Sequence, residues 1–122
     1  MANDLKYQRG VLQRKLSANT EYIMFITIIR ITVQSEKLRE FEQTVMNLRD
    51  DFRKETNCLG YNVYREVEDS RSYSLIGEWQ KREAIDGHIN SKAFSVLEGA
   101  IHTLGDSPKM KLHITSVVKL DH

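Results

Sequence analysis

The stretch from Asn57 to Phe94 constrains the fold more than any other part of this chain. Tyr61 to Val67 alternates like a strand, Glu68 to Arg71 is a polar turn, and Tyr73 to Trp79 returns as a second strand. Period-two runs rich in Tyr, Val and Ile on either side of such a turn read as a β-hairpin. Tyr61, Val63 and Arg65 fall on one face of the first arm, opposed to Asn62 and Tyr64. Gly77 in the return arm reads either as a bulge or as a close approach of backbone to a neighbour. Glu83 to Asn90 follows as a short helix carrying His88, and Ser91 offers a cap for a further helix that begins near Phe94. A hairpin feeding helices of this kind is a part from which small domains build a pocket between sheet and helix.

The flanks complete the pattern. Tyr22 to Val33 is dense in Ile, Phe, Thr and Val. Phe25, Ile29, Ile31 and Val33 line one face of it and Met24, Ile26 and Ile28 the other, which predicts a central strand buried on both faces. Ser35 offers an N-cap hydroxyl with Glu36 in the first turn. Leu38, Phe41, Val45, Leu48 and Phe52 then repeat at three and four, the apolar stripe of a long amphipathic helix. Asn57 and Gly60 both tolerate the left-handed conformation that ends a helix. Phe94, Leu97, Ala100, Ile101 and Leu104 share one side of the last helix, which Gly105 stops and Pro108 prevents from resuming. Met110, Leu112, Ile114 and Val118 alternate with Lys111, His113 and Thr115, predicting a final strand with one buried face.

Strand, helix, strand, strand, helix, strand is the ferredoxin-like split βαββαβ unit, an α+β fold whose four-stranded antiparallel sheet carries its helices on one face. The second apolar face of the first strand then needs another cover. A second copy of the chain supplies it most simply, so a homodimer is expected.

With 122 residues the chain fits one domain, read as an extension over residues 1–21 and a folded domain over 22–122. A formal charge of +1 without a clustered basic face argues against nucleic acid. No apolar run has the length of a membrane span, and the N-terminus lacks the apolar core of a secretory signal. Cys58 is the single cysteine and has no disulfide partner in the chain, which with the rest points to the cytoplasm. His88, His102, His113 and His122 form no ligand pair at helical spacing, so no metal is expected.

At this point the chain resembles the antibiotic biosynthesis monooxygenase domain family over roughly Ile23 to Val118. The residues that carry the likeness are Cys58-Leu59-Gly60-Tyr61 and Tyr64-Arg65 before the acidic turn, Leu75-Ile76 and Glu78-Trp79 after it, and Ile85-Asp86, His88, Ser91 and Phe94 in the helices. The resemblance implies a dimeric α+β barrel. It also implies oxygenation of an electron-rich phenol or quinol without metal, flavin or haem, because such a substrate can itself give an electron to dioxygen. The protein need only bind it, help remove a proton and exclude water. Haem-degrading relatives resemble the fold too, but carry a tryptophan in the short helix and a histidine further along, where this chain has His88 and Glu98.

His88 matches the histidine of the family's helix pattern and is the candidate catalytic residue, suited by its pKa range to take a phenolic proton. Its structural alternative is a histidine that hydrogen-bonds a neighbouring helix. Trp79, Tyr61, Tyr64, Tyr73 and Asn62 are the candidate substrate contacts for a small aromatic molecule, each with an alternative place in the core, a strand or a turn. Glu78 reads as one half of a salt bridge, with Arg30 or across the dimer. Cys58 lacks a paired base and reads as a small buried hydrophobe. A non-catalytic small-molecule binder and an isomerase of a small metabolite are the competing functions on this fold.

Overall fold

The structure, a computed structural model of the chain, describes residues 20–107 and 110–121. The extension assigned to residues 1–21 lies outside the described residues up to position 19, as does Pro108. Strand β1 spans Thr20–Thr32, helix α1 Leu38–Arg53, β2 Cys58–Arg65, β3 Ser72–Trp79, α2 Arg82–Ile89, α3 Lys92–Leu104 and β4 Leu112–Asp121. The strands form one antiparallel sheet in the order β2-β3-β1-β4. This is the ferredoxin-like arrangement, with β1 in the interior of the sheet as its apolar density predicts.

Register sets which side chains share a face. Val63, Leu75, Ile29 and Leu112 form one row across the sheet, and Asn62, Ile76, Ile28 and His113 form the next. Because strand side chains alternate, the first row points to the helices and the second to the open face. Ile29, Ile31, Val33, Tyr61, Tyr73, Leu75 and Trp79 pack on the helix side against Phe41, Val45, Leu48, Phe52, Ile85, Phe94, Leu97, Ile101 and Leu104. Burial of each large apolar side chain of this set stabilises the fold by roughly 1.5–3 kcal/mol. On the open face Ile26, Ile28 and Ile76 stay partly exposed, while Met24 and Ser72 are buried there.

Several local expectations change. Ser35 does not cap α1: residues Ser35–Lys37 tighten into a 3-10 turn, and the Ser35 hydroxyl turns to Glu36 instead. Asn57 does take the left-handed conformation, with φ 61°, whereas Gly60 does not. Gly60 sits at a register shift in β2, where a Cβ would lie 3.1 Å from Oε2 of Glu78. Gly105 does end α3, though for want of room: a Cβ there would be 2.5 Å from the Ile101 carbonyl oxygen. Arg30 pairs with Glu66 and not with Glu78. Cys58 is only partly buried, its Sγ donating to the Gly60 carbonyl at 3.5 Å. Ile114 is 39% exposed because β4 is an edge strand, so the last strand lacks the well-buried face its alternation predicts.

Candidate active site

His88 lies one turn after Ile85 on the inner face of α2, and both are buried. The imidazole is 1% exposed and surrounded by rings from every neighbouring element. Ring centroids lie 4.6 Å away at Phe52 of α1, 4.5 Å at Trp79 of β3, 5.0 Å at Phe94 of α3 and 5.8 Å at Tyr61 of β2. One polar partner reaches it: the carboxylate of Glu55, with oxygens 2.7 and 3.1 Å from Nδ1. A carboxylate only accepts, so Nδ1 carries the hydrogen and donates it. Nε2 then holds a lone pair, and it is buried without a hydrogen-bond partner among the described residues. Burial pushes the imidazole pKa below its ordinary value, with the hydrogen bond and charge of Glu55 pulling the other way. The neutral form is the one this environment favours.

The supports of this pair are themselves anchored. The Glu55 amide donates to the Phe52 carbonyl and its own carbonyl accepts from the Cys58 amide, each at 3.1 Å. Ser91, read from the sequence as a cap, does accept from the Phe94 amide at 3.1 Å. Its hydroxyl also donates to the His88 carbonyl at 2.7 Å, which ties the end of α2 to the start of α3. Trp79 is fully buried, and its Nε1–H donates to Oγ1 of Thr27 on β1 at 3.0 Å. Gly77 is the close-approach case of its two readings: a Cβ there would fall 2.7 Å from both Nε1 of Trp79 and Oγ1 of Thr27. Tyr61 is 2% exposed, and desolvation, followed by the charge of Glu55, pushes its hydroxyl pKa far up.

A surface pocket of about 460 Å³ opens beside this cluster, lined by Lys54, Glu55, Thr56, Asn57, Glu83, Ala84, Gly87, His88 and Ser91. Its rim is charged and its inner end meets the imidazole. Water or a small ligand in this pocket therefore lies against His88 and Glu55.

The structure brings His88, Trp79 and Tyr61 together and leaves the other expected contacts apart. Tyr73 is buried near the opposite end of α1, its ring 5.1 Å from Phe41 and its hydroxyl donating to Glu42. It helps line a separate pocket of about 270 Å³ with Val45, Met46, Val63 and Arg65. Asn62 and Tyr64 point to the open face of the sheet. Arg53 reaches round the β2 edge to Oδ1 of Asn62 at 3.0 Å, and Tyr64 is 52% exposed. Glu55, Phe52 and Thr27 were not singled out as site residues. Glu55 lies in a polar segment just past α1, and its partner is thirty-three positions away. The one local signal was a buried-face histidine in α2, which needs an acceptor from some neighbour.

No curated protein matches the chain. Among solved structures it is similar to a conserved protein of Methanosarcina mazei Go1, with 25% identity over 76% of this chain and 91% of that one, at a TM-score of 0.71. It is also similar to an antibiotic biosynthesis monooxygenase, with 22% identity over 78% of this chain and 95% of that one, at 0.63. A third is a mutant form of SnoaB, a cofactor-independent oxygenase from Streptomyces nogalater, with 18% identity over 75% and 90% at 0.66. The family match itself runs over residues 24–97, which takes in the hairpin, Glu55, His88, Ser91 and Phe94. With more than half of its length matched, and with the sheet order and helical layer described above, the chain belongs to the antibiotic biosynthesis monooxygenase family.

Proposed function

We propose that the chain is a cofactor-independent monooxygenase that oxidises a quinol or polyphenol-like aromatic with dioxygen, His88 acting as general base. The observation that carries this reading is the buried imidazole of His88, hydrogen-bonded at Nδ1 to Glu55 and unpartnered at Nε2 among the described residues, packed against aromatic rings. A buried lone pair without a partner is costly, and a phenolic O–H satisfies it. Removal of the phenolic proton makes the ring electron-rich enough to reduce dioxygen. One oxygen atom enters a ring carbon and the other leaves as water, so a quinol becomes a hydroxyquinone and supplies all four electrons. His88 takes the first proton and returns it to the departing oxygen. The fold is shared with SnoaB, a cofactor-independent oxygenase, which agrees with this reading.

Trp79 and Tyr61 back the imidazole from the core, behind the surface the substrate meets. We also propose that the chain works as a homodimer in which the second copy covers Ile26, Ile28 and Ile76 and meets Asn62 and Tyr64. Oxygen uptake with a panel of hydroquinones tests the activity. Uptake by the wild type that drops about 10²–10⁴-fold in His88→Gln is the expected result. No uptake by the wild type with any member, or full uptake by the variant, removes the proposal.

The pocket beside His88 also supports a second reading, a binding protein without turnover. It predicts that a hydroquinone raises the melting temperature while no oxygen is consumed.

A further inference from the structure

We infer that Glu55 is a positioning residue of the His88 site: it fixes the imidazole as the Nδ1–H tautomer and so makes Nε2 an obligatory acceptor for a ligand hydroxyl. The inference rests on the proposed role of His88 and adds what selects the ligand.

The geometry supports it from both ends. Both Glu55 oxygens lie within 3.1 Å of Nδ1, so a modest rotation of the carboxylate keeps the contact. The Glu55 backbone is tied to Phe52 and Cys58, and the His88 backbone to Ser91, so neither partner swings freely. Were the hydrogen on Nε2, Nδ1 and the carboxylate would both be acceptors at 2.7 Å and would repel. The other groups facing the imidazole do not offer a competing partner. Phe52, Trp79 and Phe94 carry none at the ring contact, and the Tyr61 hydroxyl makes no hydrogen bond to Nε2. Lys54 and Glu83 stand at the pocket rim.

A fixed acceptor discriminates by chemistry. A phenol or quinol donates to Nε2, whereas a quinone presents only carbonyl oxygens and is refused.

The test is nitrogen-15 NMR of the full chain, with the His88 signal identified by its loss in His88→Gln, followed by rate profiles against pH. In the wild type His88 is expected as the Nδ1–H tautomer, and in Glu55→Ala as a mixture of both. Glu55→Gln keeps an acceptor without charge, so it is expected to retain more of the tautomer and to move the acid limb of kcat/KM to lower pH. Glu55→Ala is expected to lose about 10²-fold in kcat/KM, and if it does not fold, Glu55→Gln carries the test. An unchanged tautomer and an unmoved acid limb in the folded variants overturn the inference, even where His88→Gln has abolished turnover. The tautomer spectra need no substrate, so a wild type that oxidises no quinol sinks the proposed function and leaves Glu55 still decided.

Discussion

Nε1 of Trp79 donates to Oγ1 of Thr27 at 3.0 Å, joining β3 to β1 directly beneath the His88 ring. Trp79 pairs with Phe25 and Thr27 with Gly77, so the indole reaches back over the glycine to find its acceptor. The orientation of the aromatic wall is thus set by a hydroxyl in a strand that otherwise presents apolar side chains to the core.

Thr27→Val keeps the shape of that side chain and removes the acceptor. The indole N–H is left buried and unpaired, which costs about 1–3 kcal/mol. Urea denaturation followed by tryptophan fluorescence reads this directly, since Trp79 is the single tryptophan. A midpoint equal to that of the wild type would mean that water replaces the hydroxyl.

Gly77→Ala tests the same contact from the other side. The added methyl would lie 2.7 Å from Nε1 of Trp79 and 2.9 Å from its ring, closer than atoms pack. Displacement of the indole is expected to destabilise the fold by about 1–3 kcal/mol. It also disturbs the surround of His88, so oxygen uptake with a hydroquinone should fall with the stability. A variant as stable and as active as the wild type would show that the indole moves aside without consequence.

Much of this framework was legible in the sequence because it depends on local patterns. The two apolar faces of β1 announced its interior place, the stripe from Leu38 to Phe52 announced α1, and Ser91 and Asn57 announced a cap and a left-handed stop. The contacts that build the site are of another kind. Glu55 meets His88, and Thr27 meets Trp79, across thirty-three and fifty-two positions, and nothing beside either residue marks the partner. In the sequence Glu55 is one more charge just past a helix, and Thr27 one more threonine in a strand-like run. The division of the tyrosines was half visible: alternation put Tyr64 and Asn62 on the face away from Tyr61, but only the sheet order shows which face the helices cover. Ser35 failed as a cap because a tight 3-10 turn precedes α1 and draws its hydroxyl to Glu36.

Ser91→Ala removes two hydrogen bonds at once, the cap on Phe94 and the tie to the His88 carbonyl. Loss of an N-cap of this type costs about 0.5–2 kcal/mol. Because the hydroxyl also holds the end of α2, hydrogen exchange at the amides of His88 to Phe94 is expected to accelerate more than exchange in α1. Uniform acceleration across the chain would assign Ser91 to global stability alone.

The His88 environment makes stability depend on pH. Its folded pKa is depressed, chiefly by burial, so near neutrality the unfolded chain binds protons that the folded chain refuses. Stability from this group is fully present above the unfolded value of about 6.5 and is lost as pH falls from there through the folded pKa. Urea midpoints should therefore decline from pH 8 toward pH 5, and His88→Gln should flatten that decline. A midpoint that rises on acidification would mean that Glu55 outweighs burial and the imidazole is charged in the fold.

The open face of the sheet gives the last prediction. Ile26, Ile28 and Ile76 lie there partly exposed beside Glu78, which has no ion pair among the described residues. Among the described residues helices cover only the other face, so a second molecule packed on this apolar row would bury it. Ile28 sits between Ile76 and His113 in one row of the sheet, at the middle of the patch. Ile28→Lys places a charge there at little cost to a lone chain, whose Ile28 side chain already touches solvent, and at high cost to a buried interface. Light scattering after size exclusion is expected to give twice the chain mass for the wild type and the chain mass for the variant, with the melting curve of the variant becoming independent of concentration. Ile28→Lys that remains dimeric would place the contact elsewhere on the surface. A wild type that is monomeric at all concentrations would leave the row to solvent and remove the homodimer from the proposed function.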